Sequence, residues 1–256
     1  MDKTIRIDPL SNSSLYLKAY VNGNQLSTAT GFVVTRGGTQ FLVSNWHVFA
    51  GRHPETQAPL SSTAGIPDEI RIAHHSQDAF GKWEFFGERL FNDDGSARWI
   101  AHPAGREVDV AAVALSNLKP RIKLFPFDLA LADTDIVTYP GMQVFIIGFP
   151  LGLRPNAMFP IWKTGHIASD PDLHYGGRPA FLIDATTRQG MSGSPVVARV
   201  SGGFVNSQNM YVIASGLLTK FLGIYSGRIH GEAEIGCVWR PNTIDELLQF
   251  GVPGGA

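Results

Sequence analysis

Cysteine is almost missing from this chain of 256 residues. Cys237 stands alone, so no disulfide can form within the chain, and a zinc site built on several thiolates is excluded. An excess of either charge is missing too: 21 Lys and Arg against 22 Asp and Glu leave a net charge of −1. No basic surplus marks a nucleic-acid binder, and no cationic tail marks an anionic membrane surface. Long apolar runs are absent. The best of them, Val144-Phe145-Ile146-Ile147-Gly148-Phe149-Pro150-Leu151-Gly152, is about half the ~20 residues that a membrane span needs. The opening residues, MDKTIRIDPLSNSS, lack an apolar core and a small-residue cleavage site and predict no secretory signal. The expectation is a soluble cytoplasmic protein with no membrane or nucleic-acid partner, no cofactor and no metal.

Gly (28) and Pro (16) are abundant, charged residues reach only 17 %, and hydrophobic residues make up 44 %. That is a turn-rich composition with enough apolar mass for a sizeable core, and it points to all-β structure. Short strand-like runs recur between turn signals. They fall at Ser14–Val21, Thr30–Thr35, Gln40–Ser44, Glu69–Ala73, Lys82–Phe86, Arg89–Phe91, Ala97–His102 and Val108–Leu115. Asp93-Asp94-Gly95-Ser96 reads as a hairpin turn, and the polar, proline-bearing stretch 51–67 reads as a long loop. Residues 116–138 lack alternation and mark the crossing between two halves. The second half repeats the style at Met142–Phe149, Ile161–Ala168, Ala180–Asp184, Pro195–Val200, Met210–Ser215, Thr219–Ser226 and Ile235–Trp239. Thr243 and Glu246 form a capping-box pattern ahead of one short C-terminal helix, with Gly251 as its stop.

The segment Gly190-Met191-Ser192-Gly193-Ser194-Pro195 carries the strongest chemical signal. A serine between glycines, just before a strand, sits on a tight turn whose N–H groups can converge on one point, as an oxyanion requires. The same residues also read as an ordinary Gly/Ser turn. They are not a nucleophile elbow, because Ser194 takes the place of its second glycine and a strand follows. A serine nucleophile needs a base. Of the eight histidines only His47 ends an apolar strand (FLVSNWHVF); the competing reading is a core or rim histidine. Neighbours on a strand point to opposite faces, so His74 and His75 cannot chelate together, and they read as a solvated strand end. Asp109, inside the apolar run Val108–Leu115, is a costly carboxylate to bury unless it is hydrogen-bonded. It is the best partner for the base, with a strand-end cap as its other reading.

With these residues in the order His47, Asp109, Ser192, the chain resembles the trypsin-like (chymotrypsin-fold) serine peptidases. It is most similar to the short bacterial forms that include the HtrA-type catalytic domain. The likeness runs through Ala29–Val34, Phe41–Val48, Asp109–Val113, Gly141–Gly152, Asp184-Ala185 with Gly190–Pro195, and Leu222–Gly227. It implies two packed six-stranded antiparallel β-barrels with a short C-terminal helix. The first barrel would span residues 14–118 and carry His47 and Asp109. A linker would follow at 119–138, then a second barrel at 139–241 carrying Ser192, and a helix and tail at 242–256. It implies Ser192 as nucleophile, His47 as base and Asp109 as its orienter, with an oxyanion hole from the N–H groups of Gly190 and Ser192. Ser226 would support Asp109, and Ser226, Gly227 and Arg228 would pair with the substrate backbone. Thr186, Thr187 and Gly236 would line the primary specificity pocket, with Arg228 at its mouth and Glu232 or Glu234 within reach.

The chain departs from that family at three points. Met191 stands where secreted members carry an aspartate that pairs with a newly cut N-terminus; their disulfides are missing; and no PDZ domain is expected after the last helix, where HtrA proteins append one. The expected function is therefore an intracellular serine endopeptidase working through an acyl-enzyme on protein or peptide substrates, under an activating or inhibiting protein partner. The competing reading is a catalytically silent trypsin-fold binding or scaffold module.

Overall fold

The computed structural model describes residues 6–155, 157–230 and 232–255. The first half contains β1 (Ser14–Val21), β2 (Asn24–Arg36), β3 (Thr39–Ser44), β4 (Glu69–Ser76), β5 (Trp83–Arg89), β6 (Trp99–Ala101), β7 (Ala111–Ala114) and β8 (Ile122–Lys123). Two short helices, α1 (Pro9–Ser13) and α2 (Trp46–Ala50), interrupt them. The second half contains β9 (Gln143–Gly148), β10 (Ile161–Ile167), β11 (Ala180–Asp184), β12 (Pro195–Val205), β13 (Tyr211–Arg228) and β14 (Ile235–Trp239). Helix α3 (Asn242–Phe250) and β15 (Val252–Pro253) end the chain.

The second half closes into a six-stranded barrel in the order β10-β11-β14-β13-β12-β9. The first half does not close. Its nine-stranded sheet runs β15-β6-β7-β3-β2-β1-β4-β5, with β8 beside β4. The reason lies at β6, a strand of three residues. One stretch of its free edge takes β15, at Ala101–Val252 and Ile100–Pro253. Toward β5 there is only the Phe91–Ala97 bridge and a bond from Arg98 N–H to the Leu90 carbonyl. The hairpin turn at 93–96 forms as expected, with Gly95 at φ 84°. The two runs expected at Met210–Ser215 and Thr219–Ser226 are one strand. β13 pairs with β12 from Tyr211 to Ile224 through shifts in register that absorb the intervening residues.

Strand alternation builds three apolar layers. Leu17, Leu42, Ile70, Ile72, Trp99 and Val113 fill the first half, and Val144, Ile146, Phe181, Ile183, Val196 and Val238 fill the second. Side chains of the opposite parity meet between the halves. Phe32 and Val34 of β2 pack there with Phe127, Ile147, Val197, Phe221 and Trp239. Ile244 and Leu247 of α3 close the same layer, so the C-terminal helix is part of the joint between the halves. The expected capping box is not formed. Thr243 lies inside the helix, where its hydroxyl donates back to the Arg240 carbonyl. The Glu246 carboxylate instead takes the Asn242 amide at 2.8 Å and meets buried His102 at 3.0 Å.

His74 and His75 are the clearest departure from expectation. Both are buried. β4 runs to Ser76, and covering elements lie on both sides of its end. His75 packs against Trp83, Phe125 and Phe159 and meets the Asn12 carbonyl through Nε2 at 3.0 Å. His74 tilts against Phe86.

Candidate active site

β3 ends at Ser44, and the chain enters the single turn of α2. Trp46, Val48, Phe49 and Ala50 are all buried, while His47 is partly exposed and lines the cleft with Val48 beside it. Gly51 ends the turn in the left-handed region (φ 65°), its N–H on the His47 carbonyl at 2.9 Å, a common helix stop that only glycine adopts without strain. His47 thus sits on a helical turn rather than at the end of a strand. Asn45, fully buried, sends its side-chain amide to the backbone carbonyl of Asp109 at 2.7 Å, which ties this turn to the next functional residue.

The strand expected from Val108 begins only at Ala111. Before it, the Val110 N–H bonds the Val108 carbonyl and Asn45 takes the Asp109 carbonyl, so the backbone leaves the sheet and Asp109 projects into the cleft between the halves. Its side chain is 2 % exposed. A carboxylate at that depth is tolerated when its lone pairs are used. Oδ1 accepts the His47 backbone N–H at 2.9 Å, Oδ2 meets His47 Nδ1 at 2.7 Å, and the Ser226 hydroxyl donates to Oδ2. An acceptor-only carboxylate at Nδ1 fixes the ring proton there and leaves the Nε2 lone pair for the cleft.

Ser192 lies on a segment whose shape depends on two glycines. Gly190 (φ 92°) and Gly193 (φ 85°) are in the left-handed region. A Cβ would strike the Phe149 carbonyl at the first and the Thr30 carbonyl at the second. Thr30, a buried residue of β2, holds the segment from the opposite half. Its N–H donates to the Ser192 carbonyl at 2.9 Å and its hydroxyl to the Gly190 carbonyl at 2.8 Å. That hydroxyl in turn accepts the Phe149 N–H at 3.2 Å. The Gln189 carbonyl is taken by Leu151 N–H at 2.6 Å. Among the described residues, the N–H groups of Gly190 and Ser192 donate to no protein acceptor. The Ser192 hydroxyl donates to the Ser226 carbonyl at 3.0 Å and is not bonded to His47. Neither Thr30 nor Asn45 was singled out from the sequence. The available signal was a polar residue set in an apolar strand (Thr30) or at its end (Asn45), where only a specific partner makes burial tolerable.

A family model described as "Trypsin-like peptidase domain" matches residues 29–206. The chain belongs to this family. Two solved structures show the same fold. The Rv3671c protease from M. tuberculosis, in its active form, is 19 % identical, with 96 % of this chain and 86 % of that chain covered at a TM-score of 0.51. The serine endoprotease from Yersinia pestis is 13 % identical, with 96 % and 67 % covered at a TM-score of 0.52. No curated protein sequence matches.

In this trypsin-like serine endopeptidase the cleft between the halves has a volume of about 710 Å³ and is lined by His47, Asp109, Gln189, Gly190, Ser192 and Ser226–Arg228, among others. Loop 51–67 and the turn at Tyr175–Arg178 form its rim, and a Glu55–Arg178 ion pair at 3.3 Å joins them across the halves. The residues expected to form the primary pocket are not gathered there. Thr186 is exposed, Thr187 is buried with its hydroxyl bonded to the Tyr225 phenol, and neither lines the cleft. Gly236 faces the ring of Tyr225. Arg228 does line the cleft, but Glu234 lies 4.0 Å from it and 3.3 Å from Arg188. Met191 is fully buried in the core of the barrel, so apolar packing holds this segment where the resemblance would place an ion pair. Among the described residues no group of three His, Cys, Asp or Glu side chains could hold a metal ion.

Proposed function

We propose that this peptidase cuts peptide bonds with Ser192 as nucleophile, His47 as general base and Asp109 as the group that orients His47. The observation that carries the proposal is the pair made by Asp109 and His47. A buried carboxylate bonded to both the Nδ1 and the backbone N–H of one histidine fixes its tautomer and its direction at once. The Ser192 hydroxyl would attack the scissile carbonyl while its proton passes to His47 Nε2. The negative oxygen that forms would take the N–H groups of Gly190 and Ser192. His47 would then give the proton to the leaving amine, leaving an acyl-enzyme on Ser192 that water hydrolyses by the same steps. Ser226–Arg228 offers strand backbone to the substrate beside Ser192.

The resting direction of the Ser192 hydroxyl, toward the Ser226 carbonyl, supports a peptidase under control. Turning the hydroxyl toward His47 would prepare attack, and substrate or a protein partner would favour that turn. A reducing, intracellular setting fits the lone Cys237, whose thiol burial pushes up to about 12, a poor thiolate former. A fluorophosphonate tests the reading. It should label wild type at Ser192, faster once a partner is added, and leave Ser192→Ala unlabelled. No labelling under any condition would leave the silent binding module as the function.

A further inference from the structure

We infer that Tyr225 fills the primary specificity pocket of this peptidase, so that the residue on the acyl side of the cut bond must carry a small side chain. The inference rests on the roles proposed above for Ser192 and the N–H groups beside it. By the family resemblance, a substrate carbonyl held at Gly190 and Ser192, on a strand paired to Ser226–Arg228, would send the side chain next to that carbonyl between two walls. One wall is the segment 186–190 and the other is β13 with β14. Gly236 of β14 has no side chain, and the slot would deepen there. The ring of Tyr225 lies in that place. A Cβ at Gly236 would strike the ring, and the phenol hydroxyl bonds Thr187 on the facing wall. The side chain thus spans the slot from wall to wall and is itself fully buried.

The shape of the cleft supports this independently. It reaches Gln189, Gly190, Ser192, Ser226, Gly227 and Arg228, yet neither Thr187 nor Gly236 borders it. Tyr225 itself, like those two residues, does not line the open volume. The Thr187 and Tyr225 hydroxyls at the base are bonded to one another, and neither carries a charge for a basic side chain. Burial pushes the phenol up to about 12, so the ring stays neutral at any working pH. The guanidinium of Arg228 stands beside Glu234, which offsets its pull on an acidic side chain.

Peptidyl diphenyl phosphonates that differ only in an Ala-, Leu-, Phe- or Arg-like side chain next to phosphorus test the inference. A plain fluorophosphonate, which places no side chain in the slot, reports whether Ser192 is competent. Wild type should react with the Ala-like probe at least about tenfold faster than with the Phe-like one, the scale of a pocket that excludes bulk. Tyr225→Val should lose that ratio or invert it, and Tyr225→Phe, which keeps the ring, should retain it. Fastest wild-type labelling by the Phe-, Leu- or Arg-like probe would overturn the inference without any variant. So would an unchanged ratio in Tyr225→Val while the plain probe still labels it. Failure of the plain probe on wild type under every condition, candidate partners included, would instead overturn the proposed catalytic roles, and this inference with them.

Discussion

Acidification should destabilise this protein as the pH falls toward 4, because two histidines are sealed inside it. Burial depresses both His74 and His75 from the ordinary 6.5 to about 4, with His75 adding repulsion at His74 and Lys123 adding it at His75. In the unfolded chain both return to the ordinary value. Between about pH 6.5 and 4 the unfolded state therefore binds more protons than the folded one, and stability falls as pH falls through that window. Above it the contribution is fully present, and below it the loss levels off. A shift from 6.5 to about 4 amounts to about 3 kcal/mol for one histidine, at roughly 1.4 kcal/mol per pH unit. Against a typical total stability of about 5–15 kcal/mol, that is a large fraction from a single side chain. The two rings are neighbours on β4, so their losses do not simply add. Urea unfolding at about pH 7.5, 5.5 and 4.5 measures the effect. His74→Leu, which removes one titrating ring from an apolar setting, should flatten the decline. His75→Phe should flatten it too, at the loss of the bond to the Asn12 carbonyl. If wild type and both variants declined in parallel, the buried histidines would not be the proton sink and the reasoning would be wrong.

Other outcomes follow from the proposed chemistry and from the fold. Ser192→Ala, His47→Ala and the double variant should lose similar amounts of turnover, because members of one catalytic unit are not additive; losses that multiplied would refute a shared step. Asp109→Asn should keep the fold by circular dichroism yet lose about 10⁴ in turnover through the wrong tautomer, and a loss below tenfold would break the proposed orienting role. Thr30→Val keeps shape but strips the Gly190 carbonyl and the Phe149 N–H of their shared partner. It should cost about 1–3 kcal/mol in urea unfolding and slow labelling of Ser192, whereas unchanged stability would show that the contact holds nothing. Reductant should leave the thermal midpoint unmoved, since Cys237 has no partner in the chain; a drop would reveal a bond between chains.

What was legible in the sequence was local. The limits of β1, β11 and β14 can be read from alternation and flanking turns, and the helix near Thr243 from its apolar stripe. Ser192 stood out as a serine between glycines on a turn before a strand, His47 as the histidine at the end of an apolar run, and Asp109 as a carboxylate inside one. The failures share one cause. Whether a strand end is wet, whether a sheet closes and whether a pocket is open depend on what distant chain lies over them. His74 and His75 look solvated beside Ser76-Gln77-Asp78, but Phe125 and Phe159 arrive from 50 or more residues downstream. The first sheet stays open because a two-residue strand from the far C-terminus takes part of the edge of β6. Thr186, Thr187 and Gly236 make a pocket only if nothing stands between the last two, and Tyr225 is assigned to a strand interior by any local reading. The positions of β13 and β14 in the barrel turn it into an obstruction.

The grip of Thr30 on the Ser192 segment crosses 160 residues of chain, and this bears on how the protein is made. Synthesis proceeds from the N-terminus, so Thr30 leaves the ribosome long before Gly190, and the strand β15 that joins the first sheet leaves later still. The Gly190–Gly193 segment emerges between them, and its contacts to Thr30 join residues of the two halves. No partial product holds a working centre, because neither half contains both ends of that contact. With the roles proposed above, cutting would begin only once both halves are made and joined.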